Sequence, residues 1–289
     1  MLARLFIGLI NAQAGWARPF GDFNNRWVTA LFRPMRPVKD FLNGKWLGHP
    51  VHGALTDLPV GIFTLAIVFD VLDLREAADI SVWLGILGML GAAVAGLADY
   101  SDTDGHPRMV ATVHATIMVV ALVLYLVSAV MRLGGPADRT VPIVVGVVAY
   151  LLLTTGAYIG GEVVYSLGNM VSRHAWRFWA QPKWQALDVV DVPEGVPTKA
   201  KAGAQSLVLV RRGDTIHALH DVCAHAGGIL SEGRIVDDCI ECPLHQSRYE
   251  LSTGFKKAGP TTYDQPRYEV RRSASGGYEA LRVTGGPPA

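Results

Sequence analysis

Two short stretches near the C-terminal end carry the residues best suited to hold a metal: Cys223-Ala224-His225 and Cys242-Pro243-Leu244-His245. Each offers one thiolate and one imidazole. Two cysteines and two histidines form the ligand set of a [2Fe–2S] centre in which thiolates hold one iron and imidazoles the other. A Cys2His2 zinc site draws on the same residues, but zinc fingers usually place Cys with Cys and His with His. The mixed pairs here point to iron. Ala226-Gly227-Gly228 after the first pair, and Pro243 inside the second, suit tight loops around a compact inorganic core.

With their flanks, these stretches resemble the Rieske family. Leu219–Gly233 is similar to its first cluster loop, Cys242-Pro-Leu-His245-Gln-Ser247-Arg-Tyr249 to its second, and Gly259-Pro260 to the proline loop that covers the cluster. The resemblance implies that Cys223 and Cys242 bind one iron and His225 and His245 the other. It also implies that the hydroxyls of Ser247 and Tyr249 hydrogen-bond cluster sulfur and ligand sulfur, which raises the potential. Rieske proteins of cytochrome bc complexes carry an additional, disulfide-forming Cys in each loop. Here those places hold Gly228 and Leu244, so the resemblance is to the disulfide-free, ferredoxin-like branch. The third cysteine, Cys239, falls in the strand-like run Ile235–Glu241 and is read as a buried structural thiol; a Cys239-x-x-Cys242 redox pair would take a ligand from the cluster. No disulfide framework remains, which fits a reducing compartment.

Loops of this kind need a rigid scaffold. Short β-branched runs at Ala186–Val192, Ser206–Val210, Thr215–Leu219, Arg234–Ile240, Arg248–Leu251, Tyr268–Val270 and Tyr278–Val283, separated by Gly, Pro and Asp, predict a small all-β domain over residues 185–289.

The rest of the chain has a different composition. Half of the 289 residues are apolar and 18% are charged, below the usual quarter for soluble proteins. The net charge of +1 gives no field for nucleic acid. Apolar runs at Ala54–Leu72, Ile80–Ala98, Met109–Met131 and Val141–Gly160 are each near the length a helix needs to cross a bilayer. Gly85, Gly88, Gly91 and Gly96 permit close helix packing in lipid. The short loops Arg75–Asp79 and Arg132–Thr140 make neighbouring helices antiparallel. Residues 49–168 are therefore expected to form a four-helix transmembrane domain, an α-helical membrane bundle beside the β domain.

Residues 1–48 interleave Arg and Lys with Trp16, Trp27 and Trp46, as short helices in a headgroup layer would. Residues 169–184, with Trp176, Phe178, Trp179 and Trp184, predict an interfacial linker. The excess of Lys and Arg in the N-terminal segment, with Arg173, Arg177 and Lys183 after the last helix, puts both termini and the cluster domain on the cytoplasmic side of a bacterial inner membrane.

Ionisable residues at membrane depth are functional candidates by default. His49 and His52 open the first helix with Asp57 a turn later, Asp99 closes the second, and His114 lies inside the third. All fall toward the cytoplasmic half. The block resembles an uncharacterised bacterial four-helix membrane domain that is sometimes fused to a Rieske module. The matching residues are Trp46-Leu-Gly-His49-Pro-Val-His52, Thr56-Asp57-Leu-Pro59-Val-Gly61, Asp70, His114-Ala115 and Gly160-Gly161. That family often carries His after the Gly-Gly pair, where this chain has Glu162. His52 and His114 could ligate a b-type haem, line a quinone pocket with Asp57 and Asp99, or satisfy interfacial hydrogen bonds. A faint internal echo is present: each helix pair begins His-Pro, has a second His downstream, and ends Gly-rich with an acid, Asp99 or Glu162.

These readings combine into a membrane-anchored iron–sulfur electron-transfer protein that exchanges electrons with quinone or quinol, or with a redox partner protein. The runner-up is a ferredoxin-like relay to a separate oxygenase or respiratory complex, and a third class is a non-catalytic redox sensor. A self-contained Rieske oxygenase is excluded, because such an enzyme needs a mononuclear iron site of two His and a carboxylate, and no His follows His245.

Overall fold

The computed structural model describes residues 2–135, 137–175, 182–274 and 276–283. They divide into two compact units, one within Met1–Asn43 and Pro50–Asn169, the other within Gly44–His49 and Met170–Ala289.

The first unit is helical: α1 (Leu2–Asn11), α2 (Ala14–Phe32), α3 (Arg36–Leu42), α4 (Val51–Leu55), α5 (Asp57–Val71), α6 (Arg75–Tyr100), α7 (Gly105–Arg132) and α8 (Thr140–Gly161), the last continued by a π-helical turn over Glu162–Ser166. Val51–Val71, Arg75–Tyr100, Gly105–Arg132 and Thr140–Ser166 are each long and apolar enough to cross a membrane. The first of these starts earlier than the hydropathy pattern predicts and is broken at Thr56. Pro59 has no N–H to give the Leu55 carbonyl, and the Thr56 hydroxyl donates to the Gly53 carbonyl at 3.0 Å.

At the bundle core the Phe63 and Tyr125 rings stack at 3.5 Å. Gly85 makes room for them, since a Cβ there would lie 2.6 Å from Phe63 Cζ. Arg132, read from sequence as a loop charge, is buried instead. Its guanidinium holds both oxygens of Asp70, at 2.8 and 2.6 Å, and reaches Asp79 at 3.2 Å; Arg139 also bonds Asp79. Pairing of this kind is what makes a buried charge tolerable. The N-terminal helices are fastened to the bundle. The Tyr100 hydroxyl donates to the Gly21 carbonyl at 3.0 Å, Asn25 donates to the Tyr100 carbonyl at 3.0 Å, and Lys39 pairs with Asp102 at 2.6 Å. Phe23 and Trp27 are exposed along α2.

Among the described residues the second unit has ten strands: β1 (Gln185–Ala186), β2 (Thr198–Ala202), β3 (Gln205–Arg212), β4 (Thr215–His220), β5 (Arg234–Val236), β6 (Cys239–Glu241), β7 (Arg248–Glu250), β8 (Lys256–Ala258), β9 (Arg267–Arg272) and β10 (Tyr278–Arg282). One antiparallel sheet has the order β1-β10-β9-β4-β3-β2, and a smaller one the order β5-β6-β7-β8. Leu207 and Leu209 on β3 face one core with Val192, Ala218 and Tyr268. Val208 and Val210 face the other with Leu219, Leu230, Ile240 and Tyr249, the strand period of two placing alternate residues on opposite faces.

The run Arg234–Ile240, predicted as one strand, is a hairpin. Asp237 adopts φ +54°, a conformation Asp tolerates, and turns β5 back onto β6. Cys239 is consequently half-buried at a strand start rather than fully buried. In the expected linker, Trp176, Arg177, Phe178 and Trp179 lie outside the described residues. Trp184 stacks beneath the Arg271 guanidinium at 3.9 Å.

Candidate metal centre

Each Cys/His pair sits where a strand of the second unit gives out. After β4 the chain closes a tight loop: Cys223 N–H donates to the Gly228 carbonyl at 2.8 Å, and Gly227 N–H to the Cys223 carbonyl at 3.0 Å. After β6 the same pattern recurs at the same spacing. Cys242 N–H donates to the Ser247 carbonyl at 2.9 Å, and Gln246 N–H to the Cys242 carbonyl at 3.0 Å. The left-handed turn residue is Gly227 in one loop (φ +83°) and Gln246 in the other (φ +62°). The two loops thus close in the same way around their cysteines, while the histidine comes two residues after Cys223 and three after Cys242.

The cysteines meet in the interior, where both are buried. Backbone N–H groups of His225 and Ala226 point at the Cys223 sulfur, and those of Leu244 and His245 at the Cys242 sulfur. The Tyr249 hydroxyl lies 3.1 Å from Cys223 Sγ. Contact with the Cys242 thiol, helped by Tyr249 and the loop N–H groups, draws the Cys223 thiol down despite its burial. Cys242 is pushed up by the same contact and by burial, because the second charge must form beside the first. Burial and the nearby Cys223 sulfur push the Tyr249 phenol up, so it keeps its proton as a donor.

The histidines also converge: the His225 and His245 rings lie 5.0 Å apart at 89°. With metal–nitrogen bonds of about 2.0–2.1 Å and about 1.1 Å from nitrogen to ring centre, two imidazoles on one tetrahedral ion stand roughly 5 Å apart. Among the described residues no three His, Cys, Asp or Glu side chains gather around one point. The cysteine sulfurs form one pair and the imidazoles another, the arrangement a two-iron centre needs. The surroundings fit such a group. Ser247 Oγ is fully buried with no partner among the described residues. Gly228 is pressed so close that a Cβ would lie 2.7 Å from Cys242 Sγ. Gly259 (φ +86°) passes over the second loop, where a Cβ would sit 2.6 Å from Ser247 Cα, and Pro260 is buried beside it.

Comparison with known proteins agrees with this geometry. Residues 183–269 match the family profile of the Rieske [2Fe-2S] domain. The chain is 38% identical over 90 residues to the anthranilate 1,2-dioxygenase ferredoxin subunit of Burkholderia cepacia, covering 31% of this chain and 83% of that one. The chain belongs to the Rieske family. It is also 33% identical over 81 residues to the ferredoxin component of naphthalene 1,2-dioxygenase/salicylate 5-hydroxylase systems of Ralstonia sp, covering 28% of this chain and 78% of that one. Among solved structures, the ferredoxin of carbazole 1,9a-dioxygenase from Nocardioides aromaticivorans IC177 aligns at 28% identity, with a TM-score of 0.30, over 38% of this chain and all of that one. Residues 48–173 match the family described as "Predicted membrane protein (DUF2231)". The chain is a Rieske ferredoxin-like electron carrier joined to a membrane domain.

Sequence reasoning missed residues that position the Rieske loops. Buried Gln265, just ahead of β9, accepts Ala224 N–H at 3.0 Å and donates to the carbonyls of His220 and Val222, the latter at 2.7 Å. Buried Asp221 accepts Ser231 N–H at 2.8 Å and the Ser206 hydroxyl at 3.0 Å. His220 is adjacent to the first loop, but both its ring nitrogens are engaged, with Val222 N–H and with Gln205. Glu241, before Cys242, lies between Arg234 and Arg248, directly opposite both across the sheet. Burial alone would raise its carboxyl; the two guanidiniums outweigh burial and hold it low.

In the membrane unit, the structure brings together only two of the five candidate residues. His52 and His114 have ring centres 6.3 Å apart at 75°. His52 Nδ1 lies 2.8 Å from the Ala92 carbonyl and His114 Nδ1 2.7 Å from the Gly156 carbonyl. Asp57 is exposed on the first turn of α5, and His49 is exposed and grouped with the second unit. Asp99 is buried, and its Oδ1 has no partner among the described residues. Both histidines bond backbone carbonyls through Nδ1, not these aspartates.

Proposed function

We propose that this protein is a membrane-anchored one-electron carrier whose partner is another redox protein. The observation that carries the reading is the pair of matched loops, which hold two buried cysteines and two convergent histidines in a chain with four apolar spans. When bound, the cluster supplies single-electron chemistry. Cys223 and Cys242 hold the buried side of that centre, and His225 and His245 the other. Backbone N–H groups and the Tyr249 hydroxyl stabilise negative charge on the sulfurs, which favours electron uptake. Ser247 Oγ is placed to do the same. His245 is the ligand with access to solvent, flanked by exposed Pro243 and Leu244, and electrons enter and leave there. The ferredoxin subunits among the relatives support a protein partner such as a separate oxygenase component.

Quinone is the second reading. Exposed Leu244 beside His245 offers an apolar surface next to a hydrogen-bonding ring, which suits a quinone head as well as a protein. The charge count supports an orientation with both termini and the Rieske unit on the cytoplasmic side of an inner membrane, four crossings returning the chain to its starting face. The test is pre-reduced protein in lipid nanodiscs, followed optically. Rapid reoxidation by a ferredoxin-dependent oxygenase component, with slow reoxidation by a soluble quinone analogue, is expected. Reoxidation by the quinone alone at the faster rate would replace the protein partner with quinone.

A further inference from the structure

The membrane unit contains a second convergent pair of imidazoles, and its dimensions differ from the first. We propose that His52 and His114 are trans ligands to one metal ion set between their rings, with the iron of a b-type haem as the ion the site is built for.

Three observations carry this. The first is spacing. Using the same bond lengths as above, about 2.0–2.1 Å to the metal and about 1.1 Å to the ring centre, two imidazoles on opposite sides of one ion stand roughly 6.3 Å apart. His52 and His114 stand 6.3 Å apart. The rings of the Rieske loops, at 5.0 Å, match the tetrahedral value instead.

The second is tautomer. A backbone carbonyl can only accept, so each Nδ1, at 2.8 and 2.7 Å from its carbonyl, carries the proton. The lone pair then resides on each Nε2. A ring N–H pinned to a carbonyl while the other nitrogen is left to ligate is the usual support for a metal-binding histidine.

The third is repetition. His52 bonds a carbonyl of α6 and packs on Gly96 one turn further along that helix, where a Cβ would be 3.0 Å from its ring. His114 bonds a carbonyl of α8 and packs on Gly160, again one turn further on and again at 3.0 Å. Two helix pairs thus hold two histidines in the same way, with their ring centres 6.3 Å apart. A histidine that only satisfied an interfacial hydrogen bond would need none of this duplication.

The ligand count selects the ion. Among the described residues no third His, Cys, Asp or Glu joins the pair. An ion bound there must bring its other ligands, as porphyrin iron does, or be content with two, as cuprous copper is. Both share the trans bis-imidazole chemistry. Gly53, the residue after His52, adds no side chain beside it, and a Cβ there would meet nothing within 4 Å.

The test uses full-length protein purified from cells supplied with haem precursor and copper, in wild-type and Cys242→Ser backgrounds, the latter removing cluster iron from the count. One haem per chain with a low-spin reduced spectrum, lost at least tenfold in His52→Gly and in His114→Gly and regained on adding imidazole, supports the proposal in its haem form. One copper per chain with the same losses supports the shared site with a different ion. Imidazole rescue separates loss of a ligand from loss of the fold, and His106→Ala, at an exposed position, should bind as wild type does. His114→Met should keep the pigment and shift its spectrum. Neither haem nor copper bound to wild-type protein, or haem retained in both glycine variants, overturns the proposal.

Discussion

Replacing Tyr249 with Phe should lower the midpoint potential of the Rieske centre by a predictable amount. The hydroxyl lies 3.1 Å from Cys223 Sγ, and the side chain is fully buried. A ligating thiolate has no proton, so the phenol must donate. A hydrogen bond to a charged acceptor contributes about 1.5–3 kcal/mol. The bond exists in both oxidation states, and only the part gained on adding an electron moves the potential. If roughly half is gained, the difference is about 0.75–1.5 kcal/mol, which at 59 mV per tenfold for one electron is a fall of roughly 30–65 mV. Phe keeps the ring and its packing against Val210 and Leu219 in the same core, so the cluster should remain bound. Redox titration followed by the paramagnetic signal of the reduced centre is the assay. A potential within about 10 mV of wild type, with the signal intact, would show that the hydroxyl does not feel the electron.

Ser247→Ala should lower the potential similarly, because its buried hydroxyl has no protein partner among the described residues and cluster sulfur is the acceptor left to it; an unchanged titration would mean that it points elsewhere. Gln265→Leu removes three hydrogen bonds that brace the first loop. It should destabilise the Rieske unit by about 2–5 kcal/mol in denaturant titrations and speed cluster loss, since buried groups left unpaired cost about 1–3 kcal/mol each. Asp70→Asn leaves the buried Arg132 short of its main counter-charge. It should cost about 3–5 kcal/mol and lower the melting temperature of the detergent-solubilised protein. A reporter joined after Ala289 should behave as cytoplasmic, and a periplasmic signal would invert the orientation proposed for every segment.

The Rieske domain was readable in the sequence because thiolate and imidazole are rare, and their pairing on two short stretches has few meanings. The matched closure of the two loops was not, because it is made by backbone N–H and carbonyl groups that every residue carries, and its left-handed position is Gly227 in one loop but Gln246 in the other. Gln265 gave no local signal either, since what it braces lies more than forty positions earlier in the chain. The hairpin at Asp237 was hidden because a turn without glycine interrupts the β-branched pattern too weakly. Hydropathy found the four spans but misread Arg132, since a count of charges near helix ends cannot see that Asp70, on another helix, neutralises this one. The same limit applied to the membrane histidines. Helix direction put His52 and His114 in one leaflet, but their partners are carbonyls of α6 and α8, which have no signature in side-chain type.

Joining a one-electron carrier to membrane helices changes what its docking surface must do. A diffusing ferredoxin needs enough affinity to hold its partner through the transfer, and affinity slows release. Here the last helical turn ends at Ser166, and from Met170 onward the chain belongs to the Rieske unit, where the Tyr263 hydroxyl donates to the Met170 carbonyl at 2.9 Å and Arg173 N–H to the Ala224 carbonyl at 3.0 Å, so the connecting segment is short. On the proposed function, a partner in the same membrane would meet the Rieske unit at an effective concentration set by that connection rather than by bulk protein. Strong docking becomes unnecessary, and rapid exchange is favoured. The surface at His245 is consistent with that economy: next to the solvent-facing ligand stand Pro243 and Leu244, both exposed, and no broad apolar ridge is needed around them. Weak, fast contacts at a small patch suit a centre that moves a single electron at a time, with the anchor supplying the encounter rate that the interface forgoes.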